Sequence, residues 1–177
     1  MKYQKLIFAR SAARRRHGFT LVEAAMVTVV IGVGVVAILQ LMATGTIANA
    51  TGSGMTTGLN LANNLRELMQ SVRFADSTAP THWGAESGET TATYDDLDDF
   101  DGQTISPPID ARRQSISAFA NWSQTVTVQS VDKDRLTLVV PHGSLLPEDR
   151  PMSLVTVTVG QHGKTVCQIS WLAVYTK

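Results

Sequence analysis

Apolar and polar positions follow three different patterns along this chain. From Phe19 to Ala43 they form an almost unbroken apolar run of 25 residues, interrupted only by Thr20, Glu23, Thr28 and Gln40. At 1.5 Å per residue such a helix is roughly 37 Å long, enough to cross a hydrocarbon core of about 30 Å with some tilt. Further on, Leu61, Leu65, Leu68, Met69 and Val72 recur at i, i+4, i+7, i+8 and i+11, which places them on one face of a helix. Asn63, Asn64, Arg66, Glu67 and Gln70 occupy the other face. Between run and stripe lie Gly45, Gly52, Gly54 and Gly58. Each weakens a helix by about 1 kcal/mol relative to Ala, so a soft segment is expected inside one long helix from about Thr20 to Ala75.

The period changes to two near the C-terminus. Thr125 to Val131 and Leu136 to Val140 alternate around the polar turn Asp132-Lys133-Asp134, predicting a hairpin. Leu154 to Val159 and Thr165 to Tyr175, joined by Gly160-Gln161-His162-Gly163, predict a second. The expected fold is α+β, a long N-terminal helix packed by its stripe on a C-terminal antiparallel sheet of four strands. The segments run 1–18 (basic leader), 19–43 (span), 44–76 (amphipathic half with the glycines), 77–122 (irregular, acidic) and 123–177 (sheet).

Charge sharpens this division. The whole chain is formally neutral, with 15 basic and 15 acidic residues. However, Lys2, Lys5, Arg10, Arg14, Arg15 and Arg16 all precede Glu23, the first acid, so residues 19–177 carry a net −6. An acidic body argues against nucleic acid as a partner, because binding to phosphate backbones rests on clustered Lys and Arg. The basic cluster before the span, with none just after it, puts the N-terminus in the cytoplasm and the body outside the inner membrane. Cys167 is the single cysteine, which excludes an internal disulfide and a multi-thiolate zinc site.

Three readings compete for the N-terminus. A cleaved signal peptide could end at Ala48-Asn49-Ala50, but its apolar part would be far longer than the usual 7 to 15 residues and would hold a carboxylate. A plain uncleaved anchor leaves Glu23 unexplained, since a carboxylate at membrane depth costs about 2.5 to 3.5 kcal/mol. The third reading rests on Arg14-Arg15-Arg16-His17-Gly18-Phe19-Thr20-Leu21-Val22-Glu23 running directly into the apolar helix. This string resembles the class III signal of type IV prepilins and type II secretion prepseudopilins, in which a basic leader ends in Gly, Phe follows, and Glu stands fifth in the mature chain.

The resemblance implies a pilin-like fold and a processed substrate rather than an enzyme. It implies cleavage by prepilin peptidase between Gly18 and Phe19, methylation of the Phe19 amine, and pairing of Glu23 with a Phe19 amine during assembly with other pilin or pseudopilin subunits. The span lacks the kinking proline frequent in major pilins and the chain lacks their C-terminal cysteine pair, so the resemblance points to a minor subunit.

The irregular segment carries Tyr94-Asp95-Asp96-Leu97-Asp98-Asp99-Phe100-Asp101-Gly102, with Ser106-Pro107-Pro108 after it. This stretch is similar to one in minor pilin-like proteins related to the mannose-sensitive haemagglutinin pilus D subunit. No cofactor is expected, and calcium is the one ligand the string invites, through Asp95, Asp96, Asp98, Asp99 and Asp101, since hard oxygens suit Ca²⁺. The EF-hand register fails: with Gly102 sixth, Leu97 would be first and Pro108 twelfth. The favoured expectation is a solvated acidic loop anchored by Tyr94, Leu97 and Phe100.

Catalysis finds little to build on. His142-Gly143-Ser144 and His82 lack a nucleophile elbow and any metal-ligand spacing. The sequence therefore points to a non-catalytic minor pilin or pseudopilin subunit of a type IV pilus or type II secretion pseudopilus. A membrane-anchored periplasmic binding module outside any filament is the alternative.

Overall fold

The computed structural model describes residues 18–142 and 145–176. The basic cluster of the leader, with Gly143, Ser144 and Lys177, lies outside the described residues. The chain divides into two compact units, Met1–Ile47 and Ala48–Lys177.

One helix, α1 (Leu21–Ser71), contributes to both units. In the first, every residue of α1 is exposed, and α1 contains an 18-residue window of mean hydropathy 2.5, long and apolar enough to cross a membrane. Thr28 accommodates its hydroxyl by donating to the Ala24 carbonyl oxygen at 2.9 Å, which satisfies that donor within the apolar helix itself. Thr44 and Thr46 do the same toward Gln40 and Met42.

The glycine segment stays helical from end to end, so the summed propensity cost does not melt it. Gly58 has a packing reason to be glycine. A Cβ there would come within 3.0 Å of Cys167 Sγ and 3.2 Å of Val166 Cγ1, so only a bare backbone lets α1 approach the sheet this closely.

The sheet comprises β1 (Thr104–Ile105), β2 (Trp122–Ser130), β3 (Met152–Gln161) and β4 (Lys164–Val174), in the order β1-β2-β3-β4, all antiparallel. Alternate residues Trp122, Gln124, Val126 and Val128 of β2 and Val155, Val157 and Val159 of β3 turn inward. They meet Leu61, Ala62, Leu65, Leu68 and Met69 of α1, all at most 4% exposed. The predicted stripe is thus the core face, with Val72 half-buried at its end. Gln124, fully buried, ties helix, loop and sheet together. Its Nε2 donates to the Leu61 carbonyl (2.7 Å) and the Ile109 carbonyl (3.1 Å), and its Oε1 accepts from the Ile109 amide (2.8 Å).

The α+β class and four antiparallel strands are as expected, but one strand is a different one. The second predicted hairpin forms, closed by His162 and Gly163 with φ of 50° and 73°, the pair of positive values a type I′ turn requires. The first hairpin does not form. Leu136–Val140 makes no strand, only an isolated bridge, Val131 to Val139, with bonds from the Val140 amide to the Ser130 carbonyl and from the Asp132 amide to the Leu138 carbonyl. The reason lies along the edge of β2. Residues 101–105 occupy it: Gly102 N donates to Val126 O, Val126 N to Gln103 O, and β1 completes the ladder. β1 comes from the stretch expected to be irregular, and β2 pairs across its other edge with β3 over its full length.

Candidate functional site

Two places hold the residues singled out above. The first is the start of the described chain. Gly18, Phe19 and Thr20 are exposed and precede the helix, which begins at Leu21. Thr20 caps it: its Oγ1 accepts from the Glu23 amide at 3.2 Å and its carbonyl from the Ala24 amide at 3.0 Å. Thr20-Leu21-Val22-Glu23 is the Ser/Thr-x-x-Glu pattern of a capping box, a signal present in the sequence and not used above.

The cap has two consequences. It stops the helix short of the Gly18–Phe19 peptide bond, leaving that bond in exposed, non-helical backbone. It also sets Glu23 in the first turn, where the helix dipole favours a carboxylate by about 0.3 to 1 kcal/mol.

The second place is the acidic string, in the unit formed by Ala48–Lys177. Tyr94, Leu97 and Phe100 are buried as expected, with the Tyr94 and Phe100 rings edge to face at 5.1 Å. The expectation that the aspartates face water is overturned: Asp96, Asp98 and Asp99 are at most 3% exposed. They are buried because they replace missing secondary structure. Asp96 Oδ1 accepts from the amides of Asp98 and Asp99, opening the 3-10 turn Asp98–Phe100. Asp98 Oδ2 accepts from the Gly84 amide at 2.9 Å, and Asp99 Oδ2 from the Asp95 and Asp96 amides at 2.9 and 3.2 Å. Asp101 Oδ1 takes the Val128 amide of β2 at 2.8 Å, continuing the ladder beyond Gly102, while its Oδ2 takes Trp83 Nε1 at 3.1 Å. Asp95 alone is exposed, and it pairs with Arg73 at 3.2 Å.

Removal of water raises the three buried acids of this string. Burial, then the charges of Asp98 and Asp99, pushes Asp96 up to about 8. Burial also raises Asp98 and Asp99. Glu86 is pushed up to about 6 by burial and by the adjoining Glu89 carboxyl. Nearby, Arg150, 2% exposed, lies over the Trp83 ring at 4.8 Å, and His142 stacks on that ring at 4.0 Å. The described part of His142-Gly143-Ser144 thus packs against an aromatic ring.

The five aspartates are not brought together as one ligand set. The carboxylates that converge are Glu86, Glu89 and Asp99, one oxygen from each lying within 4.8 Å of the other two. Glu86-Ser87-Gly88-Glu89 is a tight turn, with the Glu89 amide donating to the Glu86 carbonyl and Gly88 at φ 96°. Two glutamates three residues apart around a glycine was the available signal for it.

If Asp101 is a structural staple, Asp101→Ala should cost about 2 to 4 kcal/mol, since it strands the Val128 amide and the Trp83 indole N–H. Asp101→Asn keeps an acceptor for Val128 only and should cost less. Urea unfolding followed by tryptophan emission measures both.

A family model described as the prokaryotic N-terminal methylation motif matches residues 13–39, covering Gly18, Phe19, Glu23 and most of the apolar run. Comparison with curated proteins gives no match, nor does comparison with solved structures. The chain therefore carries a prepilin-type N-terminal methylation signal, on a body of pilin-like helix-and-sheet architecture.

Proposed function

We propose that this chain is a minor pilin or pseudopilin subunit without catalytic activity. Prepilin peptidase removes residues 1–18, the Phe19 amine is methylated, and the span holds the subunit in the inner membrane with its body in the periplasm. From there it enters a type IV pilus or type II secretion pseudopilus beside other subunits of the family. The observation that carries this reading is the coincidence, within the matched segment, of an exposed Gly18–Phe19 bond, a capped helix start and a carboxylate in the first turn.

The minor role is supported by what the span and body contain. No proline occurs between Phe19 and Ala79, and Cys167 has no second cysteine to close a C-terminal loop. The orientation follows from the basic cluster preceding the span. A reporter active only outside the cytoplasm, fused after Lys177, should be active, and a cytoplasm-dependent reporter at the same place should be silent. The reverse pattern would overturn the orientation and with it the filament role.

A further inference from the structure

We propose that Glu86, Glu89 and Asp99 form a calcium site. The first observation is geometric: a carboxylate oxygen from each of the three lies within 4.8 Å of the others. Ca–O distances of about 2.3 to 2.6 Å let a single ion span that separation. The second is a buried oxygen with nothing to bind. Asp99 is 1% exposed, its Oδ2 is taken by two backbone amides, and its Oδ1 has no hydrogen-bond partner. Asp99, with one oxygen unsatisfied, thus stands beside two other carboxylates.

The cations of the body do not balance this cluster. Among the described residues the ion pairs are Arg73 with Asp95 and Lys133 with Asp134, and neither involves the three acids. Buried carboxylates without a cationic partner are expensive, and a divalent cation removes both the mutual repulsion and the missing bond.

The donor set selects the class of metal. All three ligands are hard carboxylate oxygens, with no imidazole or thiolate among them, which suits calcium rather than zinc or copper. Glu86 and Glu89 are half-exposed on a turn, leaving an entry route and room for water to complete six to eight ligands. Magnesium needs shorter bonds in near-ideal octahedral geometry, which an irregular turn facing a 3-10 segment is poorly shaped to give. The site differs from the ligand set expected from the sequence. Asp95, Asp96, Asp98 and Asp101 each serve a hydrogen bond or ion pair of the fold, and only Asp99 belongs to both sets.

The test uses the full mature protein in detergent, stripped with a chelator, exchanged into metal-free buffer and titrated calorimetrically with calcium chloride. One Ca²⁺ should bind per chain, raise the thermal midpoint, and resist competition by an equal concentration of magnesium chloride. Glu86→Gln combined with Glu89→Gln should weaken binding at least about tenfold while leaving the metal-free midpoint no lower than that of the unmodified protein. Asp95→Asn, a change within the aspartate string but outside the site, should bind as the unmodified protein does. Absence of saturable calcium binding would overturn the site, as would binding unaffected by the double glutamine change or abolished by Asp95→Asn.

Discussion

Leucine in place of Gly18 should leave the chain as an uncut precursor. Proteolysis requires the backbone to lie extended in a narrow cleft, and a residue without a Cβ permits an approach that a branched side chain blocks. The structure makes the experiment clean, because a Cβ built at Gly18 meets no atom of the described residues within 4 Å. The change therefore leaves the body intact, and what fails is recognition. A misplaced scissile bond costs on the order of a hundredfold in rate, enough for precursor to replace mature protein in the membrane fraction. Immunoblot mobility of membrane-extracted protein separates the two forms. Phe19→Ala, on the other side of the bond, should be milder, and full processing of Gly18→Leu would remove the signal reading.

Loss of the Glu23 carboxylate should have an equally large effect at a later step. Glu23 takes part in the helix cap through its backbone amide, which donates to Thr20 Oγ1, so Glu23→Ala keeps the cap and the helix start. If the cut is read upstream at Gly18, processing should proceed normally. On the proposed reading, the partner of this carboxylate in a filament is a subunit's Phe19 amine. Removing the acid strands that ammonium in a low-dielectric site at a cost of about 3 kcal/mol, or roughly a hundredfold in incorporation. Glu23→Ala should be mature, membrane-bound and missing from crosslinks to other subunits, with Glu23→Asp intermediate because it is one methylene shorter. Equal incorporation of Glu23→Ala and the unmodified chain would return the span to a plain anchor.

What the sequence reveals here follows the physics of each segment. The apolar run and the Leu61–Val72 stripe are legible because a helix repeats one local rule over many turns, and in the stripe burial follows the repeat. The β3–β4 hairpin is legible for a similar reason, with alternation on both sides of a glycine turn. Leu136–Val140 alternates equally well and forms no strand. Strand pairing is a contest for an edge, and residues 101–105 hold it along Gln124–Val128 with β1, two further backbone bonds and the Asp101 carboxylate, leaving Leu138–Val140 only the bridge at Val131. Nothing local in Leu136–Val140 announces that competitor.

The acidic string misleads in a related way. Aspartates are ordinarily solvated, but their short side chains also accept bonds from nearby amides, and in a segment with little regular structure those amides need acceptors. Burial of Asp96, Asp98 and Asp99 is the outcome. The Glu86–Glu89 turn draws no attention as two isolated acids and gains meaning only when the fold sets Asp99 beside it. At the N-terminus the position is reversed. Gly18, Phe19 and Glu23 lie within the matched motif, a short linear pattern that needs no packing to be seen in the sequence, and Thr20 adds the cap that fixes where the helix begins.

The central claim is that Gly18–Phe19 is the bond at which this chain matures. Intact-mass measurement of the protein extracted from membranes tests it most directly. The predicted mass is that of residues 19 to 177 plus one methyl group on the Phe19 amine. A mature chain beginning at Thr51, as an ordinary signal peptide ending at Ala50 would give, or a chain that keeps its first 18 residues, would contradict it.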